Sequence, residues 1–158
     1  MKNFIQYTEA SLDDIPEIVN LFKTTILHVN AQDYSTNELR AWAKGSENIG
    51  NWINRVSTHY FLLARLNQKL VGMASLDLDG YLDVIYVHRE HQRNRIASTL
   101  LSSMEKKTRN LGHSRIYSDV SITAKPFFIH QGYNVVSPQL VLCRGVYLRN
   151  YHVEKILD

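Results

Sequence analysis

Cysteine is almost missing from these 158 residues: Cys143 stands alone. A single thiol excludes an intrachain disulfide and a metal centre built on several cysteines, and it suits a reducing, cytoplasmic setting. No apolar run approaches the roughly 18 residues of a membrane span, and the opening MKNFIQYTEA has no apolar core of an export signal. A protein that neither spans a membrane nor is exported is therefore expected. Repeats, low-complexity tracts and interdomain linkers are also wanting. Neither sign of charge dominates, since Lys plus Arg outnumber Asp plus Glu by only 18 to 15, a balance that fits small anions as well as nucleic acid. What the chain does have is length and apolar content, 44% hydrophobic, enough to bury a sizeable core in one domain over 1–158.

The most informative stretch is VIYVHREHQRNRIASTLL, residues 84–101. Val84, Ile85, Tyr86 and Val87 read as strand, and Ile96, Leu100, Leu101 and Met104 recur at helical spacing, so residues 92–95 sit at a helix N-terminus. Such a terminus offers unpaired N–H groups and the positive end of the helix dipole. Arg89, Arg93 and Arg95 add full charges, and together these point to a phosphate-bearing ligand.

The rest of the chain frames that stretch. Residues 3–8 read as a first strand. A helix follows with Leu12, Ile15, Val19, Phe22, Ile26 and Val29 on one face, capped by Asp13 with Pro16 in its first turn. Ser35 and Glu38 match a capping box ahead of Leu39 and Trp42, and Ile49, Trp52 and Val56 suggest a further short helix. Strands are expected over 60–66, 70–78 and 81–88, the last two joined by a type I′ turn at Asp79 and Gly80. The central helix runs over 95–111 and ends at Gly112; residues 115–119 then make a strand parallel to the one before the helix. Ser121 or Thr123 caps a helix running to Gln131, with Pro126 in its first turn. Residues 133–142, where Pro138 suggests a bulge or an edge, and 146–155 close the sheet. The fold class is α/β, a mixed sheet with helices on both faces.

This element order, with its strand, basic loop and helix at the centre, resembles the GNAT superfamily of acetyl-CoA-dependent N-acetyltransferases. The resemblance covers nearly the whole chain. It implies a mostly antiparallel, twisted sheet of six to seven strands. The family's central motif, Gln or Arg, two residues, Gly, one residue, Gly or Ala, stands here as QRNRIA at 92–97. Gln92 and Ala97 match, and Arg95 takes the first glycine position. A helical φ there would admit any residue, and the guanidinium would add charge-assisted hydrogen bonds beside a pyrophosphate. A second signature appears as AKPFFIHQGY at 124–133, with Ala124, Gly132 and Tyr133 matching. Phe128 stands where many members carry the tyrosine that protonates the leaving thiolate. The segments 121–128 and 144–150 resemble a subgroup of small, stand-alone bacterial members.

The resemblance implies acetyl-CoA as co-substrate and direct transfer to an amine in a ternary complex. Ile85, Tyr86 and Val87 would lie beside the thioester and pantetheine, while Gln92, Arg93, Asn94, Arg95, Ile96, Ala97 and Ser98 would surround the pyrophosphate, with Ser121 and Phe128 completing the cofactor site. Asp83, read as sharing a strand face with Tyr81, Ile85 and Val87, is the candidate proton acceptor, unless it only pairs with an arginine. Tyr86 is one candidate replacement for the missing acid, with Tyr117, Tyr133 and Tyr151 as others. His88 and His91 lack a visible third ligand, so no metal is expected; His28 and His59 are candidates for the acceptor pocket. The segment 34–52 is the expected lid over the acceptor. The partner is a small-molecule or peptide amine, with no nucleic acid and no membrane, and the chain is a monomer or homodimer. Two other readings stand beside this one, a catalytically degenerate acyl-CoA-binding sensor, suggested by Arg95 and Phe128, and a nucleic-acid-binding protein, suggested by the clustered arginines.

Overall fold

A computed structural model describes residues 4–158. Seven strands form one sheet in the order β1-β2-β3-β4-β5-β7-β6. They are β1 (Ile5–Glu9), β2 (Tyr60–Leu66), β3 (Lys69–Leu76), β4 (Tyr81–Val87), β5 (Arg115–Ser121), β6 (Asn134–Cys143) and β7 (Val146–Ile156). Every neighbouring pair is antiparallel except β4 and β5, which run parallel. That parallel pair is linked through α4 (Ile96–Asn110), as a crossover connection requires.

The helices divide between the two faces. On one side α4 and α5 (Lys125–His130) cover a core containing Leu82, Val87, Ile96, Leu100, Ile116, Phe128 and Val153. On the other, α1 (Ile15–Val29), α2 (Thr36–Ala43) and α3 (Ile49–Thr58) cover Phe61, Leu63, Met73, Val84 and Leu148. The expectation of a mixed, mostly antiparallel sheet with helices on both faces holds.

Local signals account for several boundaries. The Ser35 and Glu38 capping box forms in full: Glu38 N–H donates to Ser35 Oγ at 3.2 Å and Ser35 N–H to Glu38 Oε1 at 2.8 Å. Gly112, at φ +89°, ends α4 in the left-handed conformation that glycine allows. Other boundaries differ from expectation. The strand expected over 3–8 runs from Ile5 to Glu9, and position 3 lies outside the described residues. Ahead of α1 the cap is Ser11, paired with Asp14, rather than Asp13, and Leu12 in that added turn is exposed. The β3–β4 link is no two-residue type I′ turn; it spans residues 77–80, where Asp77 Oδ1 accepts from the N–H groups of Asp79 and Tyr81. α5 begins only at Lys125 without a side-chain cap; Ser121 Oγ instead accepts from Ala124 N–H at 3.0 Å. β6 is the sheet edge, as Pro138 suggested, while its irregularity falls between Val135 and Ser137.

Two features of β4 position everything that follows. Its ladder with β5 contains only Tyr81↔Tyr117 and Leu82↔Ser118, after which the strands part. Against β3, one step from Leu76 to Ser75 is matched by two steps from Leu82 to Val84. Asp83 is the extra residue of a β-bulge, and the alternation of faces shifts there.

Candidate active site

Where β4 and β5 separate, a cleft of about 590 Å³ opens, lined by residues from both faces of the sheet. Ile85, Tyr86 and Val87 form one wall, and Ser121, Thr123, Ala124, Phe127 and Phe128 the other. The start of α4 contributes Ile96, Ala97 and Ser98 to the lining, and Thr25 and Val29 of α1, with Asn30 just after it, contribute from the other face of the sheet. Of the residues expected to hold a cofactor, all line this cleft except Asn94. Asn94 lies between two residues of positive φ in the loop and is not part of the wall.

The loop before α4 is built for an anion. Arg93 and Arg95 both take φ +62°, so the helical φ expected at Arg95 is not what the chain adopts. The backbone keeps the left-handed geometry glycine would favour, with arginine in it, and a left-handed residue of this kind is strained by roughly 1–2 kcal/mol. The Arg95 carbonyl is spent inside the helix, accepting from Thr99 N–H at 3.0 Å, Thr99 Oγ1 at 2.7 Å and Ser98 Oγ at 3.1 Å. The first-turn N–H groups of α4 have no carbonyl of their own to reach. They meet the Arg93 and Arg95 walls of the cleft, so dipole and full charge have the same sign. Gln92 anchors the loop by donating to the Val87 carbonyl, a structural use of the motif's glutamine.

Gly72 of β3 makes this approach of α4 possible. A Cβ there would stand 2.8 Å from Ile96 Cγ2 and 3.3 Å from Leu100 Cδ1. Only a glycine lets the first turn of the helix lie this close to the sheet.

Tyr86 points to the α1 face, its ring 5.3 Å from that of Phe22. Burial pushes its phenol well above the ordinary value, Asp83 adds to the effect, and Trp42 and Arg55 oppose it. Tyr86 therefore carries its proton throughout the working range. Phe128 faces the same cleft, fully buried against Phe127 and Tyr133 with ring centroids at 5.3 and 5.1 Å.

Asp83 is elsewhere. The bulge turns it away from Ile85 and Val87, which belong to the α4 side, and onto the α3 side. There Arg55 Nε donates to its Oδ2 at 2.7 Å and His59 Nδ1 lies 3.8 Å away. Its carboxylate does not line the cleft, so the shared strand face read from alternation is corrected. His59 also meets Ser75 Oγ at 3.2 Å, and His28 is exposed; neither borders the cleft. The segment 34–52 is packed down rather than poised above: Tyr34, Leu39, Ala43 and Trp52 are core residues. Tyr34 Oη donates to the Arg149 carbonyl at 2.5 Å and accepts from Ile122 N–H at 3.0 Å, tying the start of that segment to the ends of β5 and β7.

Sequence reasoning missed Thr25, Val29 and Asn30, which read simply as part of an apolar helix and its end, and also His130 and Gln131. It also missed Glu90, which joins His88 and His91 with ligand-type atoms all within 4.8 Å. His88 Nδ1 is already taken there by Glu90 N–H at 3.1 Å. Burial, assisted by Lys69 and His91, lowers the His88 pKa and keeps the ring neutral. Among the described residues no helix is long and apolar enough to cross a membrane.

Comparison with known proteins bears on this geometry. Residues 30–153 match the model of the acetyltransferase (GNAT) domain. The "Uncharacterized N-acetyltransferase YafP" of Escherichia coli K12 is 30% identical over 151 residues, covering 96% of this chain and 95% of that one. The crystal structure of a GCN5-related N-acetyltransferase from Rhodopseudomonas palustris superposes with a TM-score of 0.92 at 27% identity, over 99% of this chain and 97% of that one. PaiA N-acetyltransferase from Thermoplasma acidophilum, solved in complex with coenzyme A, shares the fold with a TM-score of 0.80 at 18% identity, over 97% and 99% of the two chains.

Proposed function

The chain belongs to the GNAT acetyltransferase family, and on that premise we propose that it moves an acetyl group from acetyl-CoA to the primary amine of a small molecule or peptide, directly, within a ternary complex. The observation that carries this reading is the cleft at the β4–β5 split, with Arg93, Arg95 and the first turn of α4 in its wall. The fit is good. Arg93, Arg95 and the first turn of α4 suit a pyrophosphate, and the unpaired edges of β4 beyond Leu82 and of β5 beyond Ser118 suit the amides of a pantetheine arm. When bound there, acetyl-CoA supplies an acyl group already activated as a thioester.

The protein's own part is alignment and proton management. The backbone of Ile85, Tyr86 and Val87 holds the acyl end, while the apolar walls of Phe127 and Phe128 exclude water from it. The amine attacks as a neutral base, the C–N bond forms as the C–S bond breaks, nitrogen gives up one proton and sulfur gains one. With phenylalanine at position 128, we assign the donor facing sulfur to Tyr86, whose buried phenol is held protonated. Asp83, engaged by Arg55, is assigned a structural part.

The test is release of free coenzyme A thiol from acetyl-CoA in the presence of a panel of primary amines, beside thermal unfolding with and without acetyl-CoA. Ligand at 100 times its dissociation constant would add about 2.7 kcal/mol. Stabilisation together with amine-dependent thiol release supports the enzyme; stabilisation with no release from any amine would favour the sensor suggested by Phe128.

A further inference from the structure

Beside the link between β5 and α5 lies a second opening, of about 770 Å³, that the transfer chemistry above leaves unused. Two segments far apart in sequence line it: the turn between α1 and α2, with Gln32 and Asp33, and α5, with Lys125, Ile129 and His130. Tyr151 of β7 completes the lining on the sheet side. Thr123 and His130 line both this opening and the cleft, so the two spaces are neighbours.

Charge sets this opening apart. It brings an acid, Asp33, and a base, Lys125, to one space without joining them, and neither belongs to any ion pair among the described residues. Lys125 Nζ lies 4.1 Å from the centre of the Tyr151 ring. That attraction holds the ammonium over the ring face and leaves its N–H donors for another partner. A lone charge on a surface is ordinary. Here two opposite charges, unpaired, converge on one opening whose other side chains include the apolar Ile122, Pro126 and Ile129, and Ile129 is 49% exposed. A few convergent polar groups on an otherwise apolar lining are what a small-molecule site presents.

A molecule that carries an ammonium and a carboxylate side by side answers both charges at once. That pair, joined through a single carbon, is the head of a free α-amino acid. Its carboxylate suits Lys125, with His130 near by, and its α-ammonium suits Asp33. Inside a peptide the same positions are neutral amides, which leave both protein charges unanswered, and a plain diamine answers only Asp33. A side chain leaving this head has Ile122 and Ile129 for its methylenes, and the shared wall at Thr123 and His130 leads it toward the cleft.

We propose that this second opening holds the amino-acid head of the acceptor, and that the acceptor is a free diamino acid of the lysine type, acetylated on its side-chain nitrogen. The assignment rests on the acetyltransferase reading above and names the substrate class within it. The side-chain nitrogen forms the C–N bond as the C–S bond of acetyl-CoA breaks, that nitrogen gives up one proton and the departing sulfur takes one up. Asp33 and Lys125 stay at the far end of the substrate and touch no reacting atom. They hold the ground state and the transition state alike, so their worth appears in the KM of the acceptor and not in kcat.

Release of coenzyme A thiol is followed with lysine, with cadaverine, which is lysine without its carboxylate, and with aminocaproate, which is lysine without its α-ammonium. The native protein, Lys125→Gln and Asp33→Asn are compared, and acetyl-CoA affinity is measured on each by calorimetric titration. In the native protein the KM of lysine should lie below that of either analogue by roughly five- to tenfold, the worth of one hydrogen bond. Lys125→Gln should raise the KM of lysine by that factor and leave cadaverine unchanged. Asp33→Asn should do the same to lysine and leave aminocaproate unchanged. Acetyl-CoA affinity should hold in both variants, and the product should carry its acetyl group on the side-chain nitrogen. Equal KM values for the three amines in the native protein, acetylation of the α-nitrogen, or transfer to other amines and not to lysine would each overturn the assignment and leave the enzyme standing. Loss of acetyl-CoA affinity in Lys125→Gln would hand that residue to the donor's phosphates and overturn it too. If the native protein transfers to no amine at all, the acetyltransferase reading falls, and this assignment with it.

Discussion

Arg55 Nε lies 2.7 Å from Asp83 Oδ2, joining α3 to the bulge of β4, with the Arg55 guanidinium also 4.6 Å from the centre of the Trp52 ring. Both side chains are about three-quarters shielded, at 26% and 19% exposure. Removing one partner leaves the other charge poorly solvated, so Asp83→Asn and Arg55→Ala should each cost about 1–3 kcal/mol. The double variant should cost less than their sum in urea unfolding, the mark of direct coupling. Transfer by Asp83→Asn should stay within about tenfold of native. A fall of about 10²-fold or more, the usual worth of a general base, would give Asp83 a catalytic part after all.

Arg95→Gly separates strain from charge. Glycine takes the left-handed φ freely, so the variant should be more stable by about 1 kcal/mol, a rise of roughly 2–4 °C in melting temperature. Its acetyl-CoA affinity should fall, and that loss should shrink as salt is added. Arg95→Ala keeps the strain and loses the charge, so it should lose affinity with no gain in stability. Calorimetric titration at two salt concentrations, beside a melting curve, reads all of these.

Gly72→Ala would place a methyl group 2.8 Å from Ile96 Cγ2. The first turn of α4 must then lift from β3, at a cost of about 1–3 kcal/mol. Because that turn is also the anion end of the cleft, affinity for acetyl-CoA should fall in the same variant. Stability and affinity measured together check the link; a loss of stability alone would refute it.

Tyr86→Phe tests the proton donor. If the phenol serves sulfur, kcat should fall by about tenfold to a hundredfold with the KM of acetyl-CoA unchanged. Phe128→Tyr in that background should recover part of the loss, since position 128 faces the same cleft. An unchanged kcat in Tyr86→Phe would leave protonation to solvent.

Asp119 supplies a pH-dependent part of stability. Burial by itself would raise its pKa, but hydrogen bonds from His152 at 2.8 Å, Gln139 at 2.9 Å and Tyr81 at 2.9 Å outweigh burial and hold it below the ordinary 3.8. A folded-state pKa below the unfolded one stabilises the protein above the unfolded value, and the contribution is lost as the pH falls through the folded value. Asp119→Asn should therefore melt below the native protein at neutral pH, and the gap should close as the pH is taken beneath 3.8. Melting curves across that range decide it.

What could be read from the sequence was either local or carried whole by a motif. The Ser35 and Glu38 cap, the glycine stop at 112 and the strand, loop and helix around Gln92 each depend on residues within a few positions of one another. What could not be read depends on pairing between distant segments. The face of Asp83 was miscounted because the bulge belongs to the register between β3 and β4, and alternation along one strand carries no record of its partner. Arg95 suggested a helical φ because nothing in its own identity announces that the chain turns left-handed there. Thr25 and Asn30 read as ordinary residues of an amphipathic helix and its end until the tertiary fold placed them beside an opening.

The two-pair ladder between β4 and β5 has a mechanical side. The sheet is two half-sheets, β1 to β4 and β5 to β6, hinged by Tyr81↔Tyr117 and Leu82↔Ser118 and otherwise free of each other along the seam. An arm bearing amides that enters the seam works as a splint, bracing two plates that the protein alone leaves ajar, and its departure after the reaction returns the seam to its most pliable state.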